Sequence, residues 1–265
     1  MLTHGYAFVL RFFEHHNYPA FFAEEGFVTL VYDHPNTGLS DGSPRQELDP
    51  IAQQRAYSDA VTFLSARPDV DPSRIGIWGT SYSGGHVLAV GAADPRIACV
   101  VAQTPTISGR RNLYRRLTAP QLEVQKRAWA EDRAGRARAE APQTVAAGSA
   151  AADEYVSSLP LAARDTYRPF VTLRSQEWYF SYEPGVTVAA VSPTPLLMIV
   201  GTHDQVTPAK DAKQAFDNAD HPKQLLVLEG GHFDVYTHLC DVSARAASDW
   251  FTRHRYLASP CMSHR

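Results

Sequence analysis

The stretch RIGIWGTSYSGGHVL, Arg74–Leu88, passes with no spacer from an apolar run into a cluster of small residues that holds two serines, Ser81 and Ser83. A short apolar run bounded in this way reads as a buried strand of a parallel sheet. The small residues after it permit a tight strand-to-helix turn, in which the positions two before and two after the apex must leave each other room. About Ser81 these positions are Gly79 and Ser83, with Gly84 following to allow close helix packing. Ser83 has small flanks too, Ser81 and Gly85. The strand separates them: it ends near Trp78 or Gly79, so Ser81 falls on the turn and Ser83 in the first residues of the helix. Ser81 is the expected apex, where a hydroxyl is exposed.

Similar apolar runs recur outward from this point, at Phe27–Tyr32, Ile75–Trp78, Ile97–Ala102, Leu196–Val200 and Gln224–Leu228. Segments of helical spacing lie between them. In 51–65, Tyr57, Ala60, Val61 and Leu64 share one face, and near the C-terminus Leu239, Val242, Ala246 and Trp250 do the same. Phe12, Phe13 and the 20–25 stretch predict a further helix before the first strand. This alternation predicts an α/β fold, a mainly parallel sheet with helices on both faces. From about Pro105 to Pro193 the rhythm stops. That segment shows no convincing strand, but Ala- and Arg-rich helical sequence, a Ser/Ala/Gly patch at Gly148–Ala152 and the aromatic run WYFSYEPG, Trp178–Gly185. It predicts a helical cap over 105–193, inserted into a core formed by 1–104 and 194–265.

Composition narrows the partners. Lys and Arg number 25 against 28 Asp and Glu, a near balance that argues against nucleic acid or an acidic membrane face. The cap arginines are interleaved with Glu131, Asp132 and Glu140, as on a solvated helix face. Cys99, Cys240 and Cys261 are too scattered for a disulfide framework or a metal site, and Cys99 reads as an inert core residue. No run of about 18 apolar residues and no signal design is present, so the expectation is a soluble cytoplasmic protein. His15 and His16 are sequence neighbours that share no helix face, so a metal site there is not expected.

Acyl transfer needs a nucleophile, a base, an acid to orient the base, and donors for the developing oxyanion. In open α/β sheets these groups sit on loops at the carboxyl ends of strands. After the run LLMIV comes GTHDQVTP, which places Asp204 before a helix starting near Pro208. After the next run comes EGGHFDVY, which places His232 on a glycine-preceded loop before the last helix. Each could serve a turn or a cap alone. Three suitable residues at three strand ends, in the order Ser81, Asp204, His232, predict a catalytic triad. Of the neighbours, His203 points away if Asp204 points inward, His86 belongs to the helix after the turn, Asp33 organises the next loop, and Asp234 is too close to His232 to be the first choice.

THGY at Thr3–Tyr6, YDHPNTGLSDG at 32–42, GIWGTSYSGG, GTHDQVTP and GGHFDVY together resemble an α/β-hydrolase, more narrowly the dienelactone-hydrolase-like group that includes polyketide-transferase-like enzymes. The resemblance runs over nearly the whole chain, loosely in the cap. It implies that His4-Gly5 forms the loop after a core strand. It also implies that the oxyanion donors are the backbone N–H groups of Tyr6 and of Tyr82, the residue after the nucleophile. In that family a strand before the His-Gly loop lies between the strand ending at Asp33 and the strand ending at Gly79. Only Met1–Thr3 precede the loop here. The N-terminal strands are therefore expected to be missing, with backbone groups unpaired in mid-sheet.

The expected function is a serine hydrolase of a carboxylic ester or thioester, working through an acyl-enzyme and needing no metal or organic cofactor. Its expected partner is a small acyl substrate, and its oligomeric state is left open. Trp129, Trp178, Tyr179 and Phe180 are expected to roof an apolar acyl pocket or to pack the cap on the core. Three alternatives remain open: an acyltransferase on the same triad; a peptidase, for which no carboxylate pair is placed to bind an α-amine; and an inactive or ligand-binding fold, favoured by the missing strands.

Overall fold

Four of the five apolar runs form the strands expected of them in the computed structural model, which describes residues 2–7, 18–164 and 167–254. In chain order the elements begin β1 (Leu2–Thr3), α1 (Tyr18–Glu24), α2 (Pro50–Ser65), β2 (Gly76–Thr80), α3 (Tyr82–Ala93) and β3 (Cys99–Gln103). Next come α4 (Gly109–Arg116), α5 (Ala119–Ala137), β4 (Thr144–Ala146), α6 (Ala150–Ser158), α7 (Leu161–Arg164), β5 (Phe170–Thr172) and α8 (Leu173–Ser181). A 3-10 stretch at Pro184–Val191 leads to β6 (Leu196–Gly201), α9 (Ala209–Asp217), β7 (Lys223–Leu228) and α10 (Cys240–Arg253).

Among the described residues the main sheet has five strands in the order β1-β2-β3-β6-β7, all parallel. The central strands β3 and β6 are buried along their whole length, which is why they read as unbroken apolar runs. Each fully buried Leu, Ile or Val contributes roughly 2 kcal/mol of apolar transfer. The helix α2 starts where Asp49 caps it, accepting from Ile51 N at 2.8 Å and Ala52 N at 3.2 Å, with Pro50 in the first turn.

Several expectations are corrected. Among the described residues Phe27–Tyr32 forms no strand of the sheet, and Val31 alone of these six carries a bridge. Val28 remains exposed. In turn, β2 does have a partner on that side, because β1 pairs Leu2 with Trp78 and Thr3 with Gly79. In α10 the buried face is Ser243, Ala247 and Trp250, while Val242 is exposed. Of the expected face, Trp250 is buried and Leu239 and Ala246 pack partly against the core, and Val242 alone turns outward while the small Ser243 and Ala247 turn in. The segment between β3 and β6 is mostly helical but does hold strands: β4 and β5 pair antiparallel, Val145 opposite Val171. Its last part, Pro184–Val191, packs on α3, and Val188 and Val191 belong to the core.

The arginine-rich α5 is not wholly solvated. Arg136 Nε meets Asp132 Oδ2 at 2.7 Å and its Nη1 meets Glu47 Oε2 at 2.9 Å, with all three side chains at most 10% exposed. Thr172 Oγ1 also donates to Glu47, at 3.2 Å, and Arg174 lies 3.5 Å from it. This buried cluster ties the inserted segment to the loop before α2. Phe12, Phe13, His15, His16 and Cys261 lie outside the described residues. Among the described residues no helix is long and apolar enough to cross a membrane, and no cluster of three or more His, Cys, Asp or Glu could hold a metal ion.

Candidate active site

Ser81 stands between β2 and α3 with φ +56° and ψ −114°, a conformation that L-residues avoid. Three backbone bonds hold it there. Its N–H donates to Gln103 O at 2.9 Å, and its carbonyl accepts from Thr106 N at 2.8 Å and Gly85 N at 3.3 Å. Strain of roughly 1–3 kcal/mol persists only when surroundings over-determine it in this way. The turn can close because Gly79 has no side chain: a Cβ there would stand 2.2 Å from Ser83 O. Ser83 lies inside the first turn of α3, fully buried, as the position of the strand end predicted.

The residues named from the sequence meet in one hydrogen-bonded line. Ser81 Oγ lies 3.0 Å from His232 Nε2, and His232 Nδ1 lies 2.7 Å from Asp204 Oδ2. Asp204 comes from the loop after β6 and His232 from the loop after β7, both at the carboxyl ends of parallel strands. The carboxylate acceptors are fully used. Oδ1 takes Val206 N and Thr207 N, each at 2.7 Å, and Oδ2 takes Thr207 Oγ1 at 2.8 Å beside the imidazole. With Asp204 accepting, His232 carries its proton on Nδ1 and presents Nε2 as the acceptor for the Ser81 hydroxyl. Burial pushes the Asp204 carboxyl up, but attraction to the His232 imidazole and the bonds from His232 and Thr207 outweigh it and hold it below the usual carboxylate range.

The supporting residues were not named from the sequence. Thr207 Oγ1, whose single proton goes to Asp204, also lies 2.9 Å from Thr104 O, an alternative acceptor, and 3.2 Å from His232 Nδ1. Its only signal was its place three residues after Asp204, a local turn spacing. Asp234, passed over as the acid, accepts from Gly231 N at 2.7 Å and braces the histidine loop. His203 is exposed and faces Glu229, away from the site. Asp33 binds Leu39 N at 2.8 Å and so does organise its loop. His86 lies in α3, bonded to Gln53 Oε1 at 2.8 Å and to the Tyr182 hydroxyl at 2.7 Å.

The Thr3–Tyr6 loop packs directly on the turn: a Cβ on Gly5 would stand 3.0 Å from Ser81 Cβ. The Tyr6 and Tyr82 rings meet edge to face at 5.2 Å. Ser81 and His232 open into a pocket whose apolar wall includes Leu113, Val145, Val171 and Phe233. Of Trp129, Trp178, Tyr179 and Phe180, Tyr179 lines it. Trp129 and Phe180 pack on each other, centroids 5.3 Å apart, and Trp178 lies under Arg174. No Asp or Glu lines the pocket among the described residues, and Arg116 does.

The family profile described as X-Pro dipeptidyl-peptidase (S15 family) matches residues 2–234. The chain is 32% identical over 225 residues to an acyltransferase, drtE, of Aspergillus calidoustus, covering 80% of this chain and 71% of that protein. It is 29% identical over 252 residues to a thiohydrolase, apmlB, of Arthrinium phaeospermum, covering 89% and 81%. Among solved structures, the α/β-hydrolase GrgF from Penicillium sp. sh18 superposes with a TM-score of 0.81 at 26% identity, over 96% of this chain and 89% of that one.

Proposed function

Because the chain belongs to the α/β-hydrolase family matched by the S15 profile, in its polyketide-transferase-like group of hydrolases and acyltransferases, we propose that it is a serine hydrolase of an ester or thioester. The observation that carries this reading is the unbroken line Ser81–His232–Asp204 opening on an apolar pocket.

In this reading Ser81 Oγ attacks the acyl carbonyl while His232 Nε2 takes its proton. Asp204 keeps the imidazole in the right tautomer and stabilises the imidazolium. The backbone N–H groups of Tyr6 and Tyr82 hold the tetrahedral oxyanion, each worth about 3 kcal/mol in comparable sites. His232 returns the proton to the departing alcohol or thiol, leaving an acyl group on Ser81. Water, activated by the same histidine, then releases the acid. A pocket lining without a carboxylate favours acyl recognition over capture of a peptide α-amine, so the dipeptidyl-peptidase chemistry of the profile's description is not the preferred one. A second reading is favoured by the acyltransferase and polyketide transferases among the relatives: the acyl-enzyme passes its acyl group to an alcohol or amine.

The test is a fluorophosphonate probe followed by peptide mass mapping. The adduct is expected on Ser81, and Ser81→Ala is expected to lose both the adduct and turnover of an ester and thioester panel. Turnover that survives Ser81→Ala overturns the reading. Adding a competing alcohol or amine and analysing products separates hydrolysis from transfer.

A further inference from the structure

The direction of the Tyr6 N–H depends on the peptide that carries it. That peptide's carbonyl, Gly5 O, accepts from the His4 imidazole, Nδ1 standing at 3.0 Å. A planar trans peptide points its N–H opposite its C=O, so this bond also sets the N–H. With the proton on Nδ1, His4 Nε2 is left to accept, and it takes His34 N at 3.4 Å. The preceding carbonyl, His4 O, is held from the other side of the site. Ser83 Oγ, on the first turn of α3, donates to it through a short hydrogen bond.

A serine hydroxyl has one proton. Since Ser83 gives it to His4 O, its second contact, with His34 Nε2 at 3.0 Å, has the imidazole as donor. His34 therefore carries its proton on Nε2, and its buried Nδ1, which has no partner, presents only a lone pair. Burial keeps His34 neutral, well below the ordinary histidine range. Ser83, His4 and His34 are each at most 2% exposed, so solvent does not replace a lost bond.

Resting on the serine reading above, we infer that Ser83 is a positioning residue for the oxyanion site, with His34 aiming its hydroxyl at the His4 carbonyl so that the His4–Tyr6 loop presents the Tyr6 N–H. The residue two after the nucleophile thereby does more than leave room for the turn. It ties the helix that carries Ser81 to the loop that faces it, and a glycine or alanine there would leave His4 O and His34 Nε2 without their common partner.

The experiment uses the full chain with Ser83→Ala, His34→Gln and His34→Phe. It measures kcat, KM and the affinity of a boronic acid, whose tetrahedral adduct on Ser81 places an oxygen where the oxyanion forms. Ser83→Ala is expected to lower kcat by about 10- to 100-fold, below the full loss on deleting a donor because the Tyr6 N–H is misaimed and not removed. Boronate affinity should fall by a similar factor while KM changes little. His34→Gln, which retains an amide donor, should keep most of the wild-type kcat, and His34→Phe should behave like Ser83→Ala. If Ser83→Ala does not fold, the His34 pair supplies the same comparison. Unchanged kcat and boronate affinity, with turnover still dependent on Ser81, overturn the role of Ser83 alone. So does a loss that follows only the folded fraction. Turnover independent of Ser81 overturns the serine reading and this inference with it.

Discussion

Replacing Asp204 by Asn tests the site at its most constrained point. Both carboxylate oxygens accept, and every donor facing them is fixed or nearly so. Val206 N and Thr207 N at 2.7 Å on Oδ1 belong to the main chain and cannot turn away. The single oxygen of an asparagine must therefore stay there, and its NH2 group takes the place of Oδ2. Thr207 Oγ1 can turn its proton to Thr104 O at 2.9 Å and accept instead. His232 has no such escape, and must move its proton to Nε2 and accept at Nδ1. Nε2 then faces Ser81 Oγ, 3.0 Å away, as a donor and can no longer serve as a base. In comparable triads this tautomer error lowers kcat about 10⁴-fold, which is about 5 kcal/mol at 1.36 kcal/mol per decade. The cost to folding is smaller, roughly 1–3 kcal/mol for one mispaired buried group, so the variant should remain folded. The assay is thioester hydrolysis at pH 7.5 normalised to the folded fraction from circular dichroism, with Asp234→Asn as a control expected to lose far less. An Asp204→Asn rate within tenfold of wild type refutes the reasoning, as does a loss matched by Asp234→Asn.

Stability should fall as the pH drops below about 6.5. Burial, the leading cause in each case, holds His4 and His34 below the ordinary histidine range, and His86 down at about 3. The unfolded chain binds those protons near pH 6.5 and the folded chain does not, so the histidine contribution is fully present above that pH and is lost as pH falls. Each group contributes up to about 1.4 kcal/mol per pH unit. Asp204, held low when folded, adds to the loss below about pH 4. Urea unfolding at pH 7.5 and pH 5 checks this, and equal stabilities would contradict it. Glu47→Ala should cost about 3 kcal/mol, because it leaves the buried Arg136 with Asp132 alone; a loss under about 1 kcal/mol in denaturant unfolding would show that the cluster does not anchor the inserted segment.

The parts legible in the sequence were those with strong local causes. Strands β3 and β6 are buried on both faces and so are continuously apolar, and the turn at Ser81 announces itself through the small residues it needs. Asp204 could be named because its loop follows such a strand, and His232 because two glycines mark the loop after β7, an edge strand that is apolar in sequence but only partly buried. What escaped notice depends on partners far away in the chain. Phe27–Tyr32 has the composition of a strand but only a bridge at Val31, and pairing cannot be read from one segment. Strands β4 and β5 have three residues each, too short to show a period. The inward face of α10 includes Ser243 and Ala247 beside Trp250, and the two small residues carry little hydrophobic signal. Ser83 and His34, 49 residues apart, meet only because β2 delivers one beside the loop that carries the other.

The backbone of Ser81 has a consequence for how such a protein ages in evolution. At φ +56° and ψ −114° the residue best suited to the turn is glycine, which bears that conformation without steric cost. Substitution by glycine would relax the turn and remove the hydroxyl proposed to attack the acyl carbonyl. Drift unopposed by selection for turnover therefore runs downhill toward a sturdier and silent protein. On the proposed role of Ser81, the strained turn is kept at a cost in stability that only the hydroxyl justifies, and a glycine there would keep the turn and lose the reaction.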